Sequence, residues 1–149
     1  MELTSYDDPV KNTIRQIHEQ GYTFGSIIPE GFFLKHFRIT PAKTAEEQKE
    51  NQMLYANYLG KVRDRLLNEF KFALRTKSGV GQEIVVPSEQ TAWATTECKN
   101  ELAKIIRKTH DRLTNIDMSA LSDIEKKENS DAIAKLSFFS NRKIKQLGW

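Results

Sequence analysis

Asn57, Lys61, Arg65 and Asn68 follow one another at i, i+4, i+8 and i+11, so a helix through them carries four hydrogen-bonding side chains along one face. Arg75, Lys77 and Ser78 come soon after. Groups of this kind suit one chemistry: Arg and Lys donate to guanine edges, the Asn amide matches adenine, and cations or hydroxyls contact phosphate oxygens. Between Lys61 and Lys77 stand six basic residues (Lys61, Arg63, Arg65, Lys71, Arg75, Lys77) against Asp64 and Glu69, whereas Met1 to Thr44 holds five of each sign. Each phosphate contacted adds a salt-sensitive increment of affinity. The ordinary alternative is a solvated helix face, and the two carboxylates weigh toward it unless they pair with Lys61 or Arg65 or accept from cytosine. A nucleic-acid footprint further requires that these cations be free of carboxylates of the same molecule.

Other chemistry has less support. His18, His36 and His110 are scattered without an i, i+4 partner and Cys98 is the single cysteine, so no metal ligand, no cofactor and no catalytic residue is assigned. Glu46-Glu47 and Asp7-Asp8 stand at helix starts, where the dipole favours negative charge, and not in a cleft that acid–base work needs. Gly79 and Gly81 read as a hairpin turn, because no helix N-terminus follows to hold an anion. Phe24, Phe32, Phe33 and Phe37 are expected in the core, not as a stacking platform, and Cys98 is expected to be a small buried side chain.

Five helices and a hairpin must position these groups. Asp8-Pro9 caps a first helix to about Gln20, with Val10, Ile14 and Ile17 at helical spacing and Gly21 behind it. Tyr22 to Gly25 is a candidate for brief strand pairing, and Ser26 to Glu30 opens an apolar second helix through Phe37. Thr44-Ala45-Glu46-Glu47 is a capping-box pattern, followed by Tyr55, Leu59, Val62, Leu66 and Phe70 on one face of a long third helix. Phe70, Phe72 and Leu74, then Gln82, Ile84 and Val86, alternate on either side of Lys77 to Gly81 and predict a β-hairpin that Pro87 ends. Ser88 caps a fourth helix with a Cys98, Leu102, Ile105, Thr109, Leu113, Ile116 face, and Ser122-Asp123-Ile124-Glu125 starts a fifth through Ile133, Leu136 and Ile144. The short connector between these last two predicts an antiparallel helical hairpin.

The order helix, helix, long helix, hairpin is that of a winged helix-turn-helix domain, whose third helix enters the major groove while the hairpin lies on the flanking backbone. Leu66 to Glu69, Phe72 to Arg75 and Lys77-Ser78-Gly79-Val80-Gly81-Gln82 resemble the end of the recognition helix and the Gly-Val-Gly wing of OmpR-type DNA-binding domains. The likeness covers about a sixth of the chain, and Gln82 replaces the usual aromatic after the second glycine. No receiver domain or N-terminal four-stranded sheet precedes the helices. Tyr22 to Pro29 together with this wing also resembles small phage and prophage proteins, which implies a viral accessory role inside a bacterium.

The expected fold is therefore mainly α with one β-hairpin: a winged helix-turn-helix domain over residues 1–87, then a helical hairpin over 88–149 for dimerisation or docking. Its expected partner is double-stranded DNA, bound by a homodimer through Asn57, Lys61, Arg65 and Asn68 at base edges and Arg75, Lys77 and Ser78 on phosphate. The alternative is a winged-helix interaction module that inhibits or recruits a host protein. Lys104, Arg107, Lys108 and Arg112 form a further basic stripe, and Lys135, Arg142, Lys143 and Lys145 another near Leu147 and Trp149. With 149 residues, 38% hydrophobic and 29% charged, the chain is neither disordered nor membrane-spanning. A polar, acidic N-terminus and one cysteine point to a cytoplasmic protein, in the host cytoplasm if viral.

Overall fold

The Asp8 carboxylate accepts from the Val10 and Lys11 amides at 2.9 and 3.4 Å and so starts α1 (Pro9–Glu19) in a computed structural model that describes residues 8–139, Gln146 and Gly148. Gly21 takes φ +74° at its end, and the Gly21 and Tyr22 amides return to the His18 and Ile17 carbonyls, closing the helix in a Schellman arrangement. Then come β1 (Ile27–Pro29), α2 (Glu30–His36), α3 (Ala45–Phe70), β2 (Leu74–Lys77), β3 (Gly81–Ile84), α4 (Pro87–Thr114), a 3-10 turn (Met118–Ala120) and α5 (Asp123–Phe138). The chain divides into two units, Met1–Gln90 and Thr91–Trp149. Arg142, Lys143, Ile144, Lys145, Leu147 and Trp149 lie outside the described residues. No helix among the described residues is long and apolar enough to cross a membrane.

Instead of a lone hairpin, the first unit holds a three-stranded antiparallel sheet in the order β1-β3-β2. The extra strand is Ile27–Pro29, not Tyr22 to Gly25, and the residues expected to open α2 are used to pair with β3. Pro29 explains the switch: it disfavours helix in the residue before it and, at the end of an edge strand, costs no ladder donor. The hairpin strands also begin later than the alternation suggests. Phe70 still belongs to α3, and Lys71, at φ 62°, turns the chain before β2.

Val10, Ile14, Ile17, Ile28, Phe33, Phe37, Leu59, Val62, Leu66, Leu74 and Ile84 make the core, so α1, α2, α3 and the sheet all close on one another. The predicted α3 face is confirmed at Leu59, Val62 and Leu66. Of the four aromatics assigned to the core, Phe33 and Phe37 are buried and Phe32 packs half-buried against them. Phe24 is exposed and meets Phe72 edge-on at 5.0 Å. Thr44 accepts from the Glu47 amide at 3.1 Å, but the Glu47 carboxylate takes the Lys43 amide, so only half of the expected box forms.

In the second unit, Ser122 and Glu125 form the complete capping box. Neither α4 nor α5 contains a buried residue. The half-buried stripe on α4 runs through Leu102, Ile106, Thr109 and Leu113, leaving Ile105 58% exposed. Cys98, expected inside, is exposed. Pro87 opens α4 one residue before the predicted cap Ser88, as suits proline's fixed φ.

Gly81 has φ +155°, and a Cβ there would fall 2.1 Å from the Ile28 carbonyl oxygen, whereas one on Gly79, at φ +72°, meets nothing within 4 Å. Gly79→Ala is expected to cost about 1 kcal/mol from backbone conformation alone. Gly81→Ala adds separation of β1 from β3 and is expected to cost more than twice as much, roughly 3 kcal/mol. Urea unfolding of the two variants measures the difference, and equal costs would contradict the close approach.

Candidate nucleic-acid interface

At about 100° per residue, Asn57, Lys61, Arg65 and Asn68 fall within about 80° of arc on α3, facing away from Leu59, Val62 and Leu66. Asn57, Lys61 and Asn68 are exposed and Arg65 is half-exposed. The spacing therefore does bring the four together. Asp64 is exposed and lies just outside this arc, about 20° beyond Asn57. Hydrogen bonds already occupy two of the four: Arg65 forms a two-point contact with Glu69 at 2.8 and 3.3 Å, and the Asn68 amide donates to the Asp64 carbonyl at 2.8 Å. Glu69 raises the Arg65 pKa further above its already high value through hydrogen bonding.

The hairpin cations are paired as well. Arg75 stands directly across from Glu83 in the ladder, meets its carboxylate at 2.7 Å and reaches Glu89 at 3.1 Å. Lys77 approaches the same Glu83 oxygen at 3.2 Å. Opposite charges directly across a ladder stabilise the strand pair modestly. Ser78 lies exposed in the turn between the strands. Of Lys61, Arg65, Arg75 and Lys77, Lys61 alone has no ion pair among the described residues, so the condition of free cations fails at the other three. The physical reason is local: Glu69 is one helical turn from Arg65, and the antiparallel register puts Glu83 opposite Arg75.

Arg63 belongs to the basic cluster but not to the expected set of base and phosphate contacts. It sits about 120° around α3 from Asn57, toward the hairpin, and its Nη2 donates to Thr76 Oγ1 and Gln82 Oε1, each at 2.6 Å. Thr76 and Gln82 are themselves opposite one another in the ladder, and Gln82 is only 4% exposed. One guanidinium thus ties α3 to both hairpin strands. The Arg63 Nε is buried without a hydrogen-bond partner. The signal in the sequence is Gln82 itself: a polar residue in line with the apolar Ile84 and Val86 of the alternating run needs a donor, and Arg63 is on the helix edge that supplies one.

A groove of about 420 Å³ separates α3 from the hairpin, with Ala56, Gly60 and Arg63 on one side, Ser78 and Val80 on the other and Glu30 at its edge. Tyr55 also lines it, and burial followed by the nearby Glu30 charge pushes the phenol pKa above its ordinary value. Among the described residues no three His, Cys, Asp or Glu side chains converge as metal ligands.

Hydrogen bonds from Arg75, then Lys77, hold the Glu83 carboxyl below the ordinary glutamate range. A carboxyl whose folded pKa is depressed stabilises the fold above its unfolded pKa and loses that contribution as the pH falls through the folded value. Glu83→Gln is expected to be less stable than the unaltered chain at pH 7, with the two converging as the pH drops below about 4. Thermal unfolding at a series of pH values tests this; a constant gap would mean that the ion pair is thermodynamically silent.

No family model, curated protein or solved structure matches the chain, so a functional reading rests on this geometry.

Proposed function

We propose that the first unit is a winged helix-turn-helix domain that binds double-stranded DNA, reading base edges with Asn57, Lys61, Arg65 and Asn68 and resting its hairpin on phosphate through Arg75, Lys77 and Ser78. The role is regulatory or that of a phage accessory protein. The observation that carries the reading is the joint placement of an exposed polar face on a 26-residue helix and a hairpin fixed beside it by Arg63. A protruding helix with such a face fits the major groove, and a hairpin anchored to it reaches the adjoining strand. In the same proposal the second unit is an antiparallel helical hairpin that pairs two copies, giving a dimer for two half-sites.

The charge balance shapes what kind of binding follows. Met1–Gln90 contains twelve Lys and Arg and twelve Asp and Glu, a neutral unit. Its hairpin must exchange Glu89 for phosphate at Arg75, so this unit gains little from random duplex and depends on base contacts for affinity. The same neutrality favours a second reading, in which this face docks on a host protein, because a protein partner, unlike a duplex, presents no row of phosphates that rewards net positive charge.

Selection of duplexes from a random pool, followed by gel-shift titration of the recovered site, tests the proposal. Asn57→Ala with Lys61→Ala is expected to weaken the selected site by roughly 30-fold or more, two base contacts being lost at about 1–3 kcal/mol each, while changing random-duplex binding far less. Glu83→Gln is expected to tighten binding, since Arg75 and Lys77 then reach phosphate without leaving a carboxylate. A pool that yields no enriched site, or a selected site indifferent to both changes, would remove DNA in favour of the protein partner.

A further inference from the structure

The second unit carries what the first lacks. Thr91–Trp149 has eleven Lys and Arg against eight Asp and Glu. Within it, Lys104, Lys108 and Arg112 recur at i, i+4 and i+8 on α4; Lys104, Lys108 and Arg107 face away from the half-buried Leu102, Ile106, Thr109 and Leu113, and Arg112 lies about 90° around the helix from that stripe. All four cations are exposed. Lys104 is paired with Glu101 at 2.8 Å, and Arg107, Lys108 and Arg112 have no ion pair among the described residues. Asp111 lies in the same row and forms none either.

Like charges four residues apart cost a helix a few tenths of a kcal/mol each, and Lys104–Lys108 and Lys108–Arg112 are two such pairs in succession. The helix dipole offsets part of this only at Arg112, in the last turn. Three cations over about 12 Å stand one per 6 Å, within a factor of two of the phosphate spacing along one DNA strand, and only Lys104 among them has a carboxylate partner, Glu101. We infer that this outer face of α4 is the phosphate-collecting surface of the chain, supplying the salt-dependent part of DNA affinity while α3 supplies selectivity. The inference rests on the reading of the chain as DNA-binding.

Fluorescence anisotropy of a random-sequence duplex, titrated at several salt concentrations, tests it on the full chain. The slope of log affinity against log salt is expected to fall by about 0.9 per lost phosphate contact, hence by roughly 2.7 for K104Q/K108Q/R112Q. Asp111→Asn is expected to tighten binding. The exposed triple K11Q/K35Q/K49Q, which removes the same charge from the first unit, is expected to leave the slope within one contact of the unaltered chain. Circular dichroism checks that each variant retains its helix. Equal slopes for the α4 variant and the unaltered chain, or equal falls in both triples, overturn the inference and leave the α3 reading in place. If no duplex of any sequence binds, it is the DNA reading that fails, and heparin then decides the α4 surface by itself: earlier elution of the α4 variant supports it, and unchanged elution overturns it.

Discussion

The first unit depends on how closely β1 can lie against β3. At Gly81 the backbone passes so near the Ile28 carbonyl that no side chain fits, and the same contact sets the register that pairs Pro29 with Gly81 and Ile28 with Gln82. Because β3 is the central strand, everything the hairpin presents to solvent is located by that approach. Ile28 and Ile84, both fully buried, convert the pairing into packing against Phe33 and Leu66. A two-stranded ribbon without this third strand would be marginal in water; with it, the hairpin becomes part of the core.

From the other side the hairpin is held by polar chemistry. Arg63 spends two donors on Thr76 and Gln82, neutral acceptors that leave its charge uncompensated. Burying a guanidinium against neutral groups is tolerable only where part of it still meets water, and Arg63 remains partly exposed at the groove. Three other cations of the region follow a different rule: Arg65, Arg75 and Lys77 each pair with a nearby carboxylate. The outcome is a surface rich in hydrogen-bonding groups with little net field, whereas on α4 Glu101 pairs with Lys104 and leaves Arg107, Lys108 and Arg112 without an ion pair among the described residues.

Much of this architecture was legible in the chain. Asp8-Pro9, Thr44 and Ser122 announce helix starts because a cap is a local interaction, complete within four residues. The α3 core face was equally clear, since Leu59, Val62 and Leu66 repeat over several turns. Strand β1 was not, for its three residues are too few to show a period, and its pairing partner lies more than fifty residues away. The α4 stripe slipped by one position because Ile105 and Ile106 are adjacent and periodicity alone cannot choose between them. At the site, the arc of Asn57, Lys61, Arg65 and Asn68 follows from helical geometry, but the ion pairs of Arg75 and Lys77 depend on strand register, which turn position alone left undetermined.

Register also bears on how a balanced surface would bind a polyanion. An ion pair with an exposed partner contributes about 0–1 kcal/mol, so exchanging the exposed Glu89 for a phosphate as partner of Arg75 costs little and gains little, while the half-buried Glu83 stays on Arg75. Discrimination between duplexes then falls to base-edge contacts, each worth about 1–3 kcal/mol, and these are available only where the sequence of the duplex matches. A strongly positive α3 face would gain on every phosphate regardless of sequence and dilute that difference among competing sites. Separating the neutral reading helix from a basic helix elsewhere in the chain lets overall affinity rise with α4 while the ratio of specific to random binding is set by α3. On the proposed reading, the carboxylates beside Arg65, Arg75 and Lys77 therefore act against unselective binding at the surface they share with the base-reading residues.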